Sequence, residues 1–233
     1  MMPLIFSAIS IAFIHTILGP DHYLPFIAMS KVGQWTKNKT LLVAFVAGIG
    51  HILSSILIGF IGIFAGSTLN NLIEIESVRA TYAQWFLLFF GIGYSIFGVY
   101  KILQNNHHHH FHSHTDGIVH THSHHHDLTK HEHQHRNNKN KNLTPWILFT
   151  IFIFGPCEPL IPLLIYPAAK FGLMEAVLIS SIFGIVTIST LMGIVYLGIK
   201  GVEIFKFHKI EKYQHLLAGV VLIFSALATF LGL

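Results

Sequence analysis

The chain has 233 residues, of which 52% are hydrophobic and only 10% charged, and its mean hydropathy is +0.60. An ordinary soluble domain carries roughly 25% charged residues, so this composition excludes a soluble globule. The formal charge of +4 and the pI near 9.2 do not call for nucleic acid as a partner, because a basic excess on a membrane protein gathers in the loops that face the cytoplasm.

A hydrocarbon core of about 30 Å takes about 20 apolar residues per helical crossing. Reading between charges, the chain offers six such stretches: Met1 to Pro20, running on past Asp21 to Ser30; Thr40 to Ile73; Ala80 to Tyr100; Asn142 to Ala169, interrupted only by Glu158; Ala176 to Ile199; and Tyr213 to Leu233. We therefore expect an all-α integral membrane protein of six transmembrane helices, with the lipid bilayer as its main partner. If the spans alternate, one side receives the connections 31–39, 101–141 and 200–212, which hold twelve of the fourteen Lys and Arg residues, leaving Arg79 and Lys170 on the other. The positive-inside rule then puts both termini outside and these loops in the cytoplasm of a plasma membrane, the inner membrane of a bacterium. The opening MMPLIFSAIS has neither a basic n-region nor a clear cleavage site, so it reads as a retained helix rather than a signal peptide.

The first span carries Gly19-Pro20 inside apolar sequence, flanked by His15, Asp21 and His22. Proline lacks a backbone donor and its ring clashes with the carbonyl four residues earlier, here Thr16, so the helix should break. Freed backbone at membrane depth is tolerated only where it is buried in protein or lines a wet cavity. On a straight helix His15 and His22 would share a face but lie roughly 10.5 Å apart along the axis. They either serve successive sites or meet at one because the helix unwinds at Gly19-Pro20. The second span adds His51, and its Gly48, Gly50, Gly59 and Gly62 suit close helix packing.

Between the third and fourth spans lies a polar insert, residues 104–142, with fourteen of the nineteen histidines: His107, His108, His109, His110, His112, His114, His120, His122, His124, His125, His126, His131, His133 and His135. It has too few apolar residues to offset ordering entropy, so we expect it to be disordered without a ligand. Imidazole suits zinc, copper and nickel, and an irregular His repeat offers many interchangeable chelates, so we expect a collector or sensor of intracellular metal or, since an unperturbed imidazole titrates at ~6.5, a pH sensor.

After the insert, Gly155-Pro156 breaks the fourth span in the same way, next to Cys157 and Glu158. The segments GPDHYLPF and GPCEPLIPLL are offset by 136 residues, and the same offset carries Gly48-Ile49 onto Gly184-Ile185. In that register Asp21 matches Cys157, His22 matches Glu158 and His51 matches Thr187. An odd number of spans per unit turns the second unit over, so the expectation is a 3+3 inverted repeat with Gly-Pro-broken helices: residues 1–103, the loop 104–142, and residues 143–233. His15, Asp21, His22, His51, Cys157 and Glu158 form a coherent ligand set for a divalent transition metal, with Thr187, Ser189 and Thr190 as auxiliary hydroxyls along the route. Asp21 and Glu158 weigh most, since a charge at the bilayer centre costs on the order of 2.5 to 3.5 kcal/mol. Cys157 is the only cysteine, which excludes a disulfide or a two-thiol relay within the chain.

The run HTILGPDH resembles the His-x4-Asp-His signature of the nickel/cobalt transporter (NicO/UreH-like) family, whose efflux branch also carries a long His-rich cytoplasmic loop. Here five residues rather than four separate His15 from Asp21, a rotation of about 100° on a regular helix. The repeat and GPCEPLIPLL are similar to the wider superfamily of TauE/SafE exporters and DsbD/CcdA membrane proteins. The resemblance implies transport of Ni²⁺ or Co²⁺; the ligand types alone also admit Zn, Fe or Cu. The expected function is thus a secondary transporter rather than an enzyme, an exporter of divalent metal with no tightly bound cofactor. The alternatives are a small-anion exporter of the sulfite kind and a thiol-redox membrane protein.

Overall fold

The structure, a computed structural model, describes residues 1–104, 108–113, 119–124, 144–155, 157–204 and 211–231. Helix α1 (Met2–Leu18) stops at Gly19-Pro20. A single 3-10 turn follows at Pro20–His22, and α2 (Leu24–Val32) continues in a direction bent by 78° from α1. Helix α3 (Lys37–Phe64) opens on Thr36, whose hydroxyl accepts the Lys39 N–H at 3.3 Å.

The third span begins earlier than the charge pattern suggests. Counting uncharged residues carried the second span to Ile73 and started the third at Ala80, but α3 ends at Phe64 and α4 runs from Leu69 to Gln104. Gly66, at a φ of +70°, makes the turn that a side chain resists, and the Thr68 hydroxyl accepts the Asn71 N–H at 3.4 Å at the start of α4. Glu74, Glu76 and Arg79 therefore lie on a helix rather than in a loop.

Beyond the insert come α5 (Thr144–Phe154), α6 (Leu160–Lys170), α7 (Leu173–Ile204), a 3-10 turn at Glu211–Tyr213, and α8 (Gln214–Phe230). Among the described residues, α3, α4 and α7 are each long and apolar enough to cross a membrane, the bent pair α1 and α2 adds a fourth if it is one span, and α5, α6 and α8 are shorter apolar helices. At 1.5 Å per residue, the 11 residues of α5 or α6 reach about 16 Å, roughly half a hydrocarbon core. Large apolar side chains such as Phe6, Leu57, Phe64, Phe86, Leu197 and Phe224 stand exposed on the outside, as they do on a protein solvated by lipid. The chain is an all-α multi-pass membrane protein.

Helix α4 lies along α8 in the opposite direction, since Gly91 lies against Ile223 and Gly98 against Leu216. A Cβ at Gly98 would come within 2.5 Å of the Leu216 backbone nitrogen, so only glycine permits this approach. Helix α1 packs on α7, α3 on α5, α3 on α7, α6 on α7, and α2 on α8. Gly48, Gly50, Gly59 and Gly62 lie against Leu191, Ile153, Leu164 and Leu72. In the insert, β1 (His108–Ser113) pairs antiparallel with β2 (Val119–His124), His108 opposite His124. This is local backbone order where the composition suggested none. The rest of the insert, including His107, His114, His125, His126, His131, His133 and His135, lies outside the described residues.

Candidate metal centre

The 78° bend at the first break brings His22 back beside His15. Their ring centroids lie 4.8 Å apart, nearly perpendicular, instead of the roughly 10.5 Å of a straight helix. The break thus brings together two rings that seven residues of regular helix would hold apart. Gly19 is required here, because a Cβ on it would sit 2.5 Å from His22 Nδ1 and 3.0 Å from Asp21 Oδ1. Of the carbonyls freed from α1, that of Ile17 accepts the Tyr23 hydroxyl at 3.2 Å. His51 approaches from α3, its ring centroid 5.4 Å from that of His22.

The hydrogen bonds of these rings are informative. His51 Nδ1 lies 3.1 Å from the Phe152 carbonyl; a carbonyl only accepts, so Nδ1 carries the proton and Nε2 the lone pair. His22 Nδ1 lies 3.0 Å from Asp21 Oδ1, and with an ionised carboxylate the same assignment follows. The Nε2 atoms of His15, His22 and His51 are all buried and without a hydrogen-bond partner. An unpaired buried polar atom costs on the order of 1 to 3 kcal/mol, so three in one cluster call for a water or a ligand to partner them. A metal-binding imidazole typically donates its other N–H to a carboxylate or carbonyl, as His22 and His51 do. Rings sharing one ion at bonds of about 2.0–2.1 Å would have centroids roughly 5 Å apart, close to the 4.8 Å and 5.4 Å of the two pairs that meet at His22. The perpendicular rings nevertheless aim edges at faces, and among the described residues no group of three or more His, Cys, Asp or Glu is arranged to hold a metal ion as it stands. A cavity of about 30 Å³ adjoins His22, His51 and Asp21, reaching Gln84 and Thr229.

The second break is built differently. Helix α5 ends at Phe154 and α6 begins at Leu160, and the freed groups are taken by side chains from other helices. Besides His51 on Phe152, Arg79 Nη2 donates to Ile153 O at 2.9 Å and to Gly155 O at 3.4 Å. The Ser54 hydroxyl lies 2.9 Å from Ile153 O and accepts from Arg79 at 2.9 Å. Arg79 Nη1 pairs with Glu76 Oε1. Glu76 Oε2 accepts the Cys157 N–H at 3.2 Å and the Ser55 hydroxyl at 3.4 Å.

Residues 24–228 match the family described as the cytochrome c biogenesis protein transmembrane region. The chain belongs to that family. Neither the curated proteins nor the solved structures include a match to it. The matched range of the cytochrome c biogenesis transmembrane family opens after the first break, so it covers His51 and the whole second break but neither His15 nor the Asp21–His22 pair.

The structure brings together His15, Asp21, His22 and His51 and leaves the other expected ligands apart. Cys157 is fully buried, in an apolar cluster with Ala8, Ala12, Ile52 and Leu160. Glu158 is exposed and contributes its carbonyl to the start of α6, accepting the Ile161 N–H at 3.2 Å. Thr187 is buried with its hydroxyl oxygen unpartnered, Thr190 is half-buried, and Ser189 is exposed on the outer face of α7. Side chains of the His-rich insert lie outside the described residues. Sequence reading missed Glu76, Arg79 and Ser54. A Glu-Arg pair three residues apart at the edge of an apolar stretch looks like a loop, and the one available signal was the adjacent Ser54-Ser55 inside an otherwise apolar helix.

Proposed function

We propose that the protein is a secondary transporter that exports divalent transition metal ions, Ni²⁺ or Co²⁺ first, across a plasma membrane, as the resemblance to the nickel/cobalt transporter family implies. The observation that carries this reading is the set of three buried, unpartnered Nε2 atoms on His15, His22 and His51. Metal arriving in the adjoining cavity draws the three rings from edge-to-face contact onto one centre. Asp21 and the Phe152 carbonyl hold two of the rings in the tautomer that leaves Nε2 free. Protons compete with metal for the same lone pairs, which links flux to an opposing proton gradient through the Asp21–His22 pair.

Six crossings in a 3+3 inverted repeat fit this function. Each half runs broken helix, long helix, helix, and exchanging the halves exchanges the packing of α1 on α7 with that of α5 on α3, while α4–α8 and α3–α7 map onto themselves. The basic loops and the His-rich insert then face the cytoplasm, where the insert collects metal for export.

Family membership favours a second reading, thiol-redox transport, but Cys157 is the chain's only cysteine and lies buried, so a two-thiol relay would need a second protein. A small-anion exporter would bring its substrate to the breaks, where the Asp21 carboxylate repels an anion and Arg79 is already paired with Glu76. Flux assays in proteoliposomes over Ni²⁺, Co²⁺, Zn²⁺, Fe²⁺ and sulfite, with and without a pH gradient, test the proposal. Metal flux that rises with an opposing proton gradient supports it. Sulfite flux without metal flux rejects it.

A further inference from the structure

Among the described residues, the Glu76–Arg79 pair is a buried polar feature that lies outside the histidine cluster. Glu76 is fully buried, and both residues sit on α4, which belongs to the half of the chain opposite the break they touch. The arrangement is electrically matched. The exposed carbonyls at the end of α5 form the negative end of a helix, and Arg79 faces two of them; the amide of Cys157, on the way into α6, faces the Glu76 carboxylate. One ion pair thereby clamps both sides of one break.

This clamp also reaches the histidine cluster. Phe152, whose carbonyl fixes His51 Nδ1, precedes the two residues that Arg79 and Ser54 hold, and its ring packs 5.8 Å from that of His22 and 5.0 Å from that of His51. If the end of α5 moves, the acceptor that sets the His51 tautomer moves with it.

We propose that Glu76 and Arg79 are positioning residues: their ion pair latches the second helix break shut and, through the Phe152 carbonyl, holds His51 Nε2 toward His22. The positioning role rests on the transport reading; the latch does not. Arginine is suited to it, since its planar fork donates to a carboxylate and to carbonyls at once, whereas lysine offers a point charge.

The chain's single cysteine supplies the probe, because Cys157 lies at the latched break and is fully buried. The full-length protein in membranes is treated with N-ethylmaleimide, and Cys157 modification is followed by mass. Wild type and Ser77→Ala, an exposed position on the same helix, should react slowly. Glu76→Gln and Arg79→Gln should react about tenfold faster or more, the scale of losing a charge-assisted hydrogen bond, and Arg79→Lys should fall between. Equal rates in wild type and in Glu76→Gln, the near-isosteric change, overturn the latch even where Arg79→Gln fails to accumulate. A second arm measures Co²⁺ flux for Arg79→Gln, His51→Ala and the double variant. Positioning through His51 predicts that Arg79→Gln lowers kcat/KM in the parent but adds nothing in the His51→Ala background; full additivity overturns it. A wild type that carries no Co²⁺ removes the transport reading and the positioning role with it, while the labelling arm still decides the latch.

Discussion

At the first helix break the polar groups come from the broken segment itself: Asp21 and His22 follow Gly19-Pro20 directly and bond to each other at 3.0 Å. At the second, the broken segment supplies backbone groups, and the side chains that satisfy them, His51, Ser54, Glu76 and Arg79, arrive from α3 and α4. The same Gly-Pro device therefore yields two different objects. One presents unpartnered ligand atoms and the other is hydrogen-bonded and held by an ion pair. Changes at the first break should strike flux, and changes at the second should strike stability first.

The largest effect expected is on flux. His22→Ala removes the ring at the middle of the cluster, with His15 on one side and His51 on the other, and should reduce metal flux in proteoliposomes to background while leaving insertion normal. Arg79→Ala should act on stability instead. It leaves the Glu76 carboxylate buried without its partner, which costs about 3–5 kcal/mol, read as a lower unfolding midpoint in a mild-detergent denaturation series. Asp21→Asn keeps the fold and an acceptor oxygen but loses the charge that strengthens its bond to His22, and weakening a partner of this kind lowers metal affinity about 10–100-fold, measured as a higher KM for Co²⁺ flux.

How much of this was legible depends on range. The Gly-Pro breaks, the polar residues at the first of them and the apolar stretches follow from local chemistry, because proline and intramembrane charge have fixed local costs. His15 illustrates the limit: its spacing to Asp21 left its place open until the bend was known. Glu158 illustrates the opposite case. In the repeat register it matched His22 and was expected to face the site, yet it is exposed, and the buried carboxylate at the second break is Glu76, 81 residues from the Cys157 amide it accepts. A contact across that separation depends on how α4 packs against α5 and α6, which no local pattern encodes. The charged start of α4 concealed it further, since hydropathy alone ends a span at Arg79.

Smaller effects sharpen the comparison. Gly19→Ala places a Cβ against the His22 ring and should cost about 1–3 kcal/mol in strain, appearing as reduced flux together with a modestly lower unfolding midpoint. Glu158→Gln and Ser189→Ala, both at exposed positions, should change stability by no more than about 0.5 kcal/mol and leave flux near wild type. A severe flux defect in Glu158→Gln would place a ligand at the second break and erase the distinction between the two.

Co²⁺ flux through proteoliposomes of the full-length protein, compared among wild type, His22→Ala and His51→Ala at matched insertion, most directly tests whether the three unpartnered imidazoles hold the transported ion. A route through them predicts robust flux in wild type, background flux in His22→Ala and a large but partial loss in His51→Ala, whose ring lies at one end of the cluster. Wild-type flux in both would contradict it.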